Sequence, residues 1–301
     1  MRRFLNLAQA ATRLSAILLG AVAACALATA PAAAEPALWV VKSPTATIYL
    51  FGSVHILKPD ANWLSPKIKA AFERSSTLQL EVPDLDDKAA AQAAIMKHGI
   101  DPAHSLSSKL TPQLRAQMTA AAAEYGLPAG ALEIMKPWLA ALMFDIAPLQ
   151  KAGWDGKSGV ELNLMTMARA RKEPVAGFET IEQQVAYFDS MPEAAQVGYL
   201  QESLKEAPKM VAELDKVEHA WEAGDVDVIA HALNDDMKAS NPQLYDLLLT
   251  QRNIRFADQI ATMLKTPGVT FVAVGAAHLA GPDSVQAQLD KHGIHAERLR
   301  P

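Results

Sequence analysis

The 301-residue chain has one cysteine, Cys25, close to its start. The segment patterned like a folded domain therefore has no disulfide, no thiol nucleophile and no thiolate metal ligand. Aromatic residues make up only 6% of the chain and its five tryptophans are scattered, so no carbohydrate-stacking platform is suggested. No cluster of lysines and arginines stands out, which argues against nucleic acid and anionic lipid surfaces as partners. His-Glu-x-x-His, the P-loop, Gly-x-Ser-x-Gly and a complete dinucleotide fingerprint are all missing, along with the reactions they announce. The apolar stretch Leu14–Leu27 falls short of the ~20 residues that a membrane span needs.

What that stretch does resemble is an export signal. Arg2, Arg3 and Arg13 make a positive lead, and Ala32-Ala33-Ala34 before Glu35 suits a signal peptidase. Residues 1–34 are thus expected to be a signal peptide and 35–301 a single domain. Val22-Ala23-Ala24-Cys25 offers an alternative, a lipoprotein signal with Cys25 acylated as an anchor. The Ala-x-Ala site fits better, because Val leads such a signal less well than Leu. Either route carries the protein across the inner membrane, and the periplasm is the expected location. Loss of three arginines from 28 basic residues, against 33 acidic ones, takes the formal net charge from −5 to −8.

The most telling pattern in the remainder occurs twice. Residues 47–55 read TIYLFGSVH and residues 270–278 read TFVAVGAAH. Each is a β-branched and aromatic run ending in Gly-x-x-His, followed by a loop, an amphipathic helix and another apolar run, Thr77–Leu80 or His295–Leu299. Ser65-Pro66 and Thr111-Pro112 mark helix starts, and Gly126 a helix end. Asp283 with Gln286 reads as a capping box. Residues 86–150 and 181–264 are helical in pattern, with one short strand at Pro174–Phe178. The expected fold is a helix-rich mixed α/β domain. Its central sheet is built from the two strand–GxxH–helix–strand repeats, with a large helical insertion.

A strand delivering Gly-x-x-His places the imidazole at the sheet edge where open α/β sheets bind ligands. His55 and His278 are therefore expected to face one pocket. Glu81 ends the strand Thr77–Leu80, expected beside the first His-bearing strand. Two imidazoles and a carboxylate make a credible site for Mn²⁺, Co²⁺ or Zn²⁺, with Glu81 or Glu161 as base for bound water. Glu161 opens a helix after the Gly-rich loop 153–159, and Glu179 either joins the site or caps the helix from Ile181. Ser53 adds a hydroxyl that Ala276 does not repeat, and it is expected to contact substrate with Arg252 and Asn253. Arg252 and Asn253 either clamp a substrate carboxylate, fix one of the acids, or lie on a solvated helix face; spacing alone favours the last.

Taken together, Leu50-Phe51-Gly52-Ser53-Val54-His55, Leu80-Glu81-Val82, Gly177-Phe178-Glu179, Gln251-Arg252-Asn253 and Val274-Gly275-Ala276-Ala277-His278-Leu279-Ala280-Gly281 resemble the TraB/PrgY/GumN family. That family groups with the Tiki proteases, erythromycin esterases and haem-binding ChaN proteins. The resemblance implies metal-dependent hydrolysis of a peptide or small-molecule substrate, with His55, His278 and Glu81 in the site and Arg252 and Asn253 near it. The ChaN likeness implies an alternative, a non-catalytic protein binding haem, iron or a small signal molecule. The GumN name suggests a further one, an accessory role in exopolysaccharide export. The family commonly reads Glu-x-Asp where this chain has Glu81-Val82-Pro83-Asp84, so no role passes to Asp84.

Overall fold

In the computed structural model, residues 35–300 are described, and the expected leader and Cys25 lie outside them. The two apolar runs that open the described chain form a hairpin, β1 (Leu38–Lys42) and β2 (Ala46–Ser53). Its turn closes through Ser43, whose backbone N–H donates to the Ala46 carbonyl at 2.9 Å and whose hydroxyl accepts from the Ala46 N–H at 3.0 Å. The other strands are β3 (Thr77–Leu80), β4 (Val175–Gly177), β5 (Gly268–Gly275) and β6 (Glu297–Arg298). The helices of seven or more residues are α1 (Pro66–Arg74), α2 (Lys88–His98), α3 (Pro112–Tyr125), α4 (Pro137–Lys151), α5 (Val160–Ala170), α6 (Ile181–Asp189), α7 (Glu193–Glu206), α8 (Met210–Glu222), α9 (Gln251–Met263) and α10 (Val285–Lys291). None of them is long and apolar enough to cross a membrane.

Local chemistry explains most boundaries. Ser65 caps α1 by accepting from the Ile68 N–H, with Pro66 at the first helical position; Thr111 and Pro112 do the same for α3. Gly126 ends α3 at φ +70°, which a residue with a Cβ adopts only under strain. For α10 the expected cap is corrected. Ser284 accepts from the Ala287 N–H, whereas the Asp283 carboxylate is taken by Tyr245 and Lys238.

The six strands form one sheet in the order β4-β3-β5-β2-β1-β6. β2, β3, β4 and β5 run parallel, and only β1 opposes its neighbours. The two His-bearing strands lie side by side, Gly52 opposite Val274 and Ser53 opposite Gly275. One expectation is overturned: β3 pairs with β5, not with β2, because the last long strand of the chain inserts between β2 and β3. Both faces of the sheet are covered. Phe51, Phe271 and Ala273 pack on one side with Phe72 of α1, Leu164 of α5 and Trp221 of α8. Leu50, Val272 and Val274 pack on the other with Phe256 and Ile260 of α9 and Leu289 of α10. A sheet covered on both sides needs apolar residues at successive positions, which is why the ends of β2 and β5 read as continuous runs. The rest of the helical insertion builds cores of its own, around Phe144 and Leu200 and around Trp138.

Gly177 permits the close approach of β4 to the Pro83 turn. A Cβ there would lie 2.3 Å from Pro83 Cδ. Gly177→Ala is expected to destabilise the protein by about 1–3 kcal/mol through overpacking. Gly198, inside α7 with open space around it, should respond the other way, Gly198→Ala stabilising by about 0.5–1 kcal/mol. Denaturant unfolding of the two variants measures both.

Candidate active site

All four parallel strands deliver a side chain to one edge of the sheet. His55 follows β2, Glu81 follows β3, Glu179 follows β4 and His278 follows β5, the last inside the short turn Ala276–Leu279. Strand pairing continues past the ends of β3 and β4, with the Glu179 N–H donating to the Glu81 carbonyl at 2.8 Å. This sets the two carboxylates beside each other, and both are buried.

Two such carboxylates in a low-dielectric interior need a cation. Arg252 of α9 provides it. Its Nε donates to Glu179 Oε2 at 3.0 Å, and its Nη2 to Glu179 Oε2 at 2.8 Å and to Glu81 Oε2. Its Nη1 donates to the Leu248 carbonyl at 3.1 Å and meets His278 Nε2 at 3.1 Å. Tyr187 Oη adds a donor to Glu179 Oε1 at 2.9 Å, and Gln184 Nε2 one to Glu81 Oε2 at 3.0 Å. The other Glu81 oxygen accepts from the Gly275 N–H at 2.7 Å. Burial pushes the Glu81 carboxyl up, but the Arg252 guanidinium, helped by the Gly275 N–H, overrides it and holds the group well below the usual carboxylate range.

The two histidines differ. His278 is buried, and burial holds it down to about 3 against the pull of Glu81, so it is neutral. Its Nδ1 lies 2.5 Å from Asn253 Oδ1. Asn253 Nδ2 donates to the Asp283 carbonyl at 2.8 Å, which orients the amide and makes His278 Nδ1 the protonated nitrogen. The lone pair on Nε2 then accepts from Arg252. His55, by contrast, keeps 65% of its side chain exposed in an open cleft of about 530 Å³ that Glu81, Glu161 and Gln184 also line. Its Nδ1 lies 2.6 Å from Glu161 Oε1, which also accepts from Ser53 Oγ at 2.5 Å. The Glu161 carboxylate beside it draws the His55 pKa up to about 9.

Glycines make these approaches possible by leaving out a Cβ, not by adopting positive φ. A Cβ on Gly159 would lie 2.2 Å from the His55 carbonyl oxygen, so this glycine lets the start of α5 bring Glu161 beneath His55. A Cβ on Gly52 would press on the Ala276 turn at 3.1 Å. A Cβ on Gly275 would instead fill the site itself, 3.3 Å from Glu81 Oε1, 3.5 Å from His55 Nε2 and 3.6 Å from His278 Cδ2.

Two imidazoles and a carboxylate are a donor set that borderline divalent ions accept. As the side chains stand, however, they do not fit one. Among the described residues no three His, Cys, Asp or Glu groups surround a common position for an ion. His278 turns Cδ2 toward the Gly275 space and commits Nε2 to Arg252, and that guanidinium supplies the positive charge Glu81 requires. Haem ligation meets a related obstacle: His55 is the histidine open to the cleft, and Glu161 favours its protonated form.

His55, His278, Glu81 and Glu161 thus meet at one sheet edge, with Arg252, Asn253 and Ser53 beside them. Three expected substrate contacts are corrected. Ser53, Arg252 and Asn253 are buried and spend their polar groups on Glu161, on the acid pair and on His278, so they position other residues. Arg252 lies on no solvated face: Phe256 and Ile260, four and eight residues on, share its buried stripe. That spacing was the available signal. Glu179 does not cap α6, since Thr180 does so in a capping box with Gln183. Gln184 and Tyr187 join the site as well, both on the α6 face that turns back to Glu179, and helical spacing from Glu179 is the one sequence signal for them. Asp84, given no role, is exposed with Arg169 4.0 Å away.

A family model, the TraB/PrgY/gumN family, matches residues 37–298. No curated protein and no solved structure matches the chain.

Removing the cation from the acid pair is expected to be costly. Arg252→Met should destabilise by about 3–5 kcal/mol at neutral pH, the usual result of stranding a buried charge. Because the Glu81 pKa is depressed in the fold, its pairing stabilises above about pH 4.5 and is lost as the pH falls. Denaturant midpoints should therefore show a smaller gap between variant and wild type at pH 3 than at pH 7.

Proposed function

The chain belongs to the TraB/PrgY/gumN family, and from that premise we propose that it is a hydrolase of amide or ester bonds in a peptide or small molecule, working in the periplasm. One observation carries the reading: an imidazole paired to a buried carboxylate through Nδ1, with Nε2 free on an open cleft. That is the arrangement of a general base, in which the carboxylate fixes the tautomer and stabilises the imidazolium that forms.

In this reading His55 Nε2 takes a proton from water as the water oxygen attacks the substrate carbonyl carbon. Glu81 Oε1, across the Gly275 space from His55 Nε2, accepts the second hydrogen of that water and orients it. The imidazolium then gives its proton to the departing nitrogen or oxygen. Ser53 holds Glu161, and Arg252 with Gly275 holds Glu81. His278, neutral and bonded at both nitrogens, takes no proton and fixes Asn253 and Arg252 in place. No step is routed through a divalent ion. Periplasmic location is supported by the export pattern of residues 1–34.

His55→Ala is expected to lower kcat/KM by ~10²–10⁴ against a panel of blocked peptides and p-nitrophenyl esters. Only neutral His55 is a base, and its pKa is raised, so the rate should climb with pH along a limb above 6.5 and toward about 9. Glu161→Gln should move that limb down toward 6.5 while slowing the reaction. An unmoved limb sinks the assignment of His55 as base. For location, the intact mass of the protein from the periplasmic fraction should place its first residue at Glu35; a diacylglyceryl-modified Cys25 would replace the soluble reading with an anchored one.

A further inference from the structure

Gln184 lies in the first turns of α6, between the buried acid pair and the open cleft. Its Nε2 donates to Glu81 Oε2 at 3.0 Å and to Glu179 Oε2 at 3.3 Å. The orientation of this amide is decided by charge. Two anionic oxygens accept only, so the NH₂ end must face them, and a flipped amide would set its own oxygen against both. The amide oxygen, Oε1, is therefore turned away from the acids.

Oε1 has no partner among the described residues and is not fully buried. Solvent therefore reaches it, on a residue that lines the cleft with His55, Glu81, Val82 and Leu162. An ordinary glutamine on a cleft wall can rotate its amide to serve a donor or an acceptor. This one cannot, because its NH₂ is committed to two carboxylates that Arg252 bridges. The cleft wall thus carries a fixed acceptor one amide's width from the Glu81 carboxylate.

We infer that Gln184 Oε1 reads an N–H group of the substrate, so that amides are preferred over esters of the same shape. An ester oxygen in that place would set two acceptors face to face, whereas a peptide N–H completes a hydrogen bond. The inference rests on the hydrolase reading for its consequence in turnover, but the ligand preference itself requires none. It assigns Gln184 as a specificity-determining residue, distinct from those that only hold Glu81.

The test uses acetyl-trialanine amide and analogues in which one alanine at a time is replaced by lactate, exchanging a backbone N–H for an ester oxygen. Dissociation constants come from NMR shifts of the full-length mature protein, and kcat/KM from mass spectrometry. Wild type should bind the peptide more tightly than at least one lactyl analogue by roughly tenfold, the worth of one hydrogen bond. Gln184→Leu should erase that difference. A residue that merely positioned Glu81 would on loss slow peptide and ester alike, leaving their ratio unchanged, and that result overturns the inference. Equal binding of all probes by wild type, or no binding, overturns it without recourse to a variant. Preferential binding without cleavage would uphold the inference and remove the hydrolase reading instead.

Discussion

The Arg252 guanidinium sets the terms for the rest of the site. Glu81 and Glu179 arrive from neighbouring strands and are buried side by side, an arrangement that repels itself unless one rigid cation spans both. Arginine suits the task because its donors lie in a planar fork that serves several acceptors at once. Here they reach two carboxylates, one imidazole and one backbone carbonyl. A lysine would offer a single point of charge. The bonding also fixes α9 over the strand ends, where Phe256 stacks on Phe178 with ring centroids 4.6 Å apart.

From that constraint follows a division of labour between two motifs that look alike. His278 is drawn into the buried network, bonded at both nitrogens and neutral. His55, two residues beyond its strand, stays on the cleft and pairs with Glu161 from a different part of the chain. The glycines divide in the same way. Gly52 lets another turn pack close, while Gly275 leaves empty the space into which Glu81 and His55 point. A repeated sequence thus yields one buried and one cleft-facing element, because the sheet is covered differently at its two neighbouring strand ends.

Much of the framework was legible in local chemistry. Apolar runs marked β2, β3 and β5, and Ser-Pro and Thr-Pro starts placed α1 and α3. The errors share a cause. Apolar pattern describes an element but not its neighbour, so the insertion of β5 between β2 and β3 was invisible. For the same reason a Glu from β3 and a Glu from β4 could not be seen to collide. For Arg252 charge and position point opposite ways: a lone arginine suggests a solvated face, whereas its place on the stripe with Phe256 and Ile260 buries it. Gln184 carries no signal of its own type, and its meaning comes wholly from the two acids opposite it.

By itself, then, the sequence determined the family, the helix-rich α/β class and the edge at which the chemistry gathers, since strand runs, caps and Gly-x-x-His spacing are properties of contiguous residues. Only the tertiary structure decided which histidine faces solvent, that a guanidinium stands at the acid pair, and which way the Gln184 amide points. Those outcomes depend on burial and on charges brought together across more than a hundred residues of chain, where the cost of an unpaired charge in a dry interior outweighs any local preference.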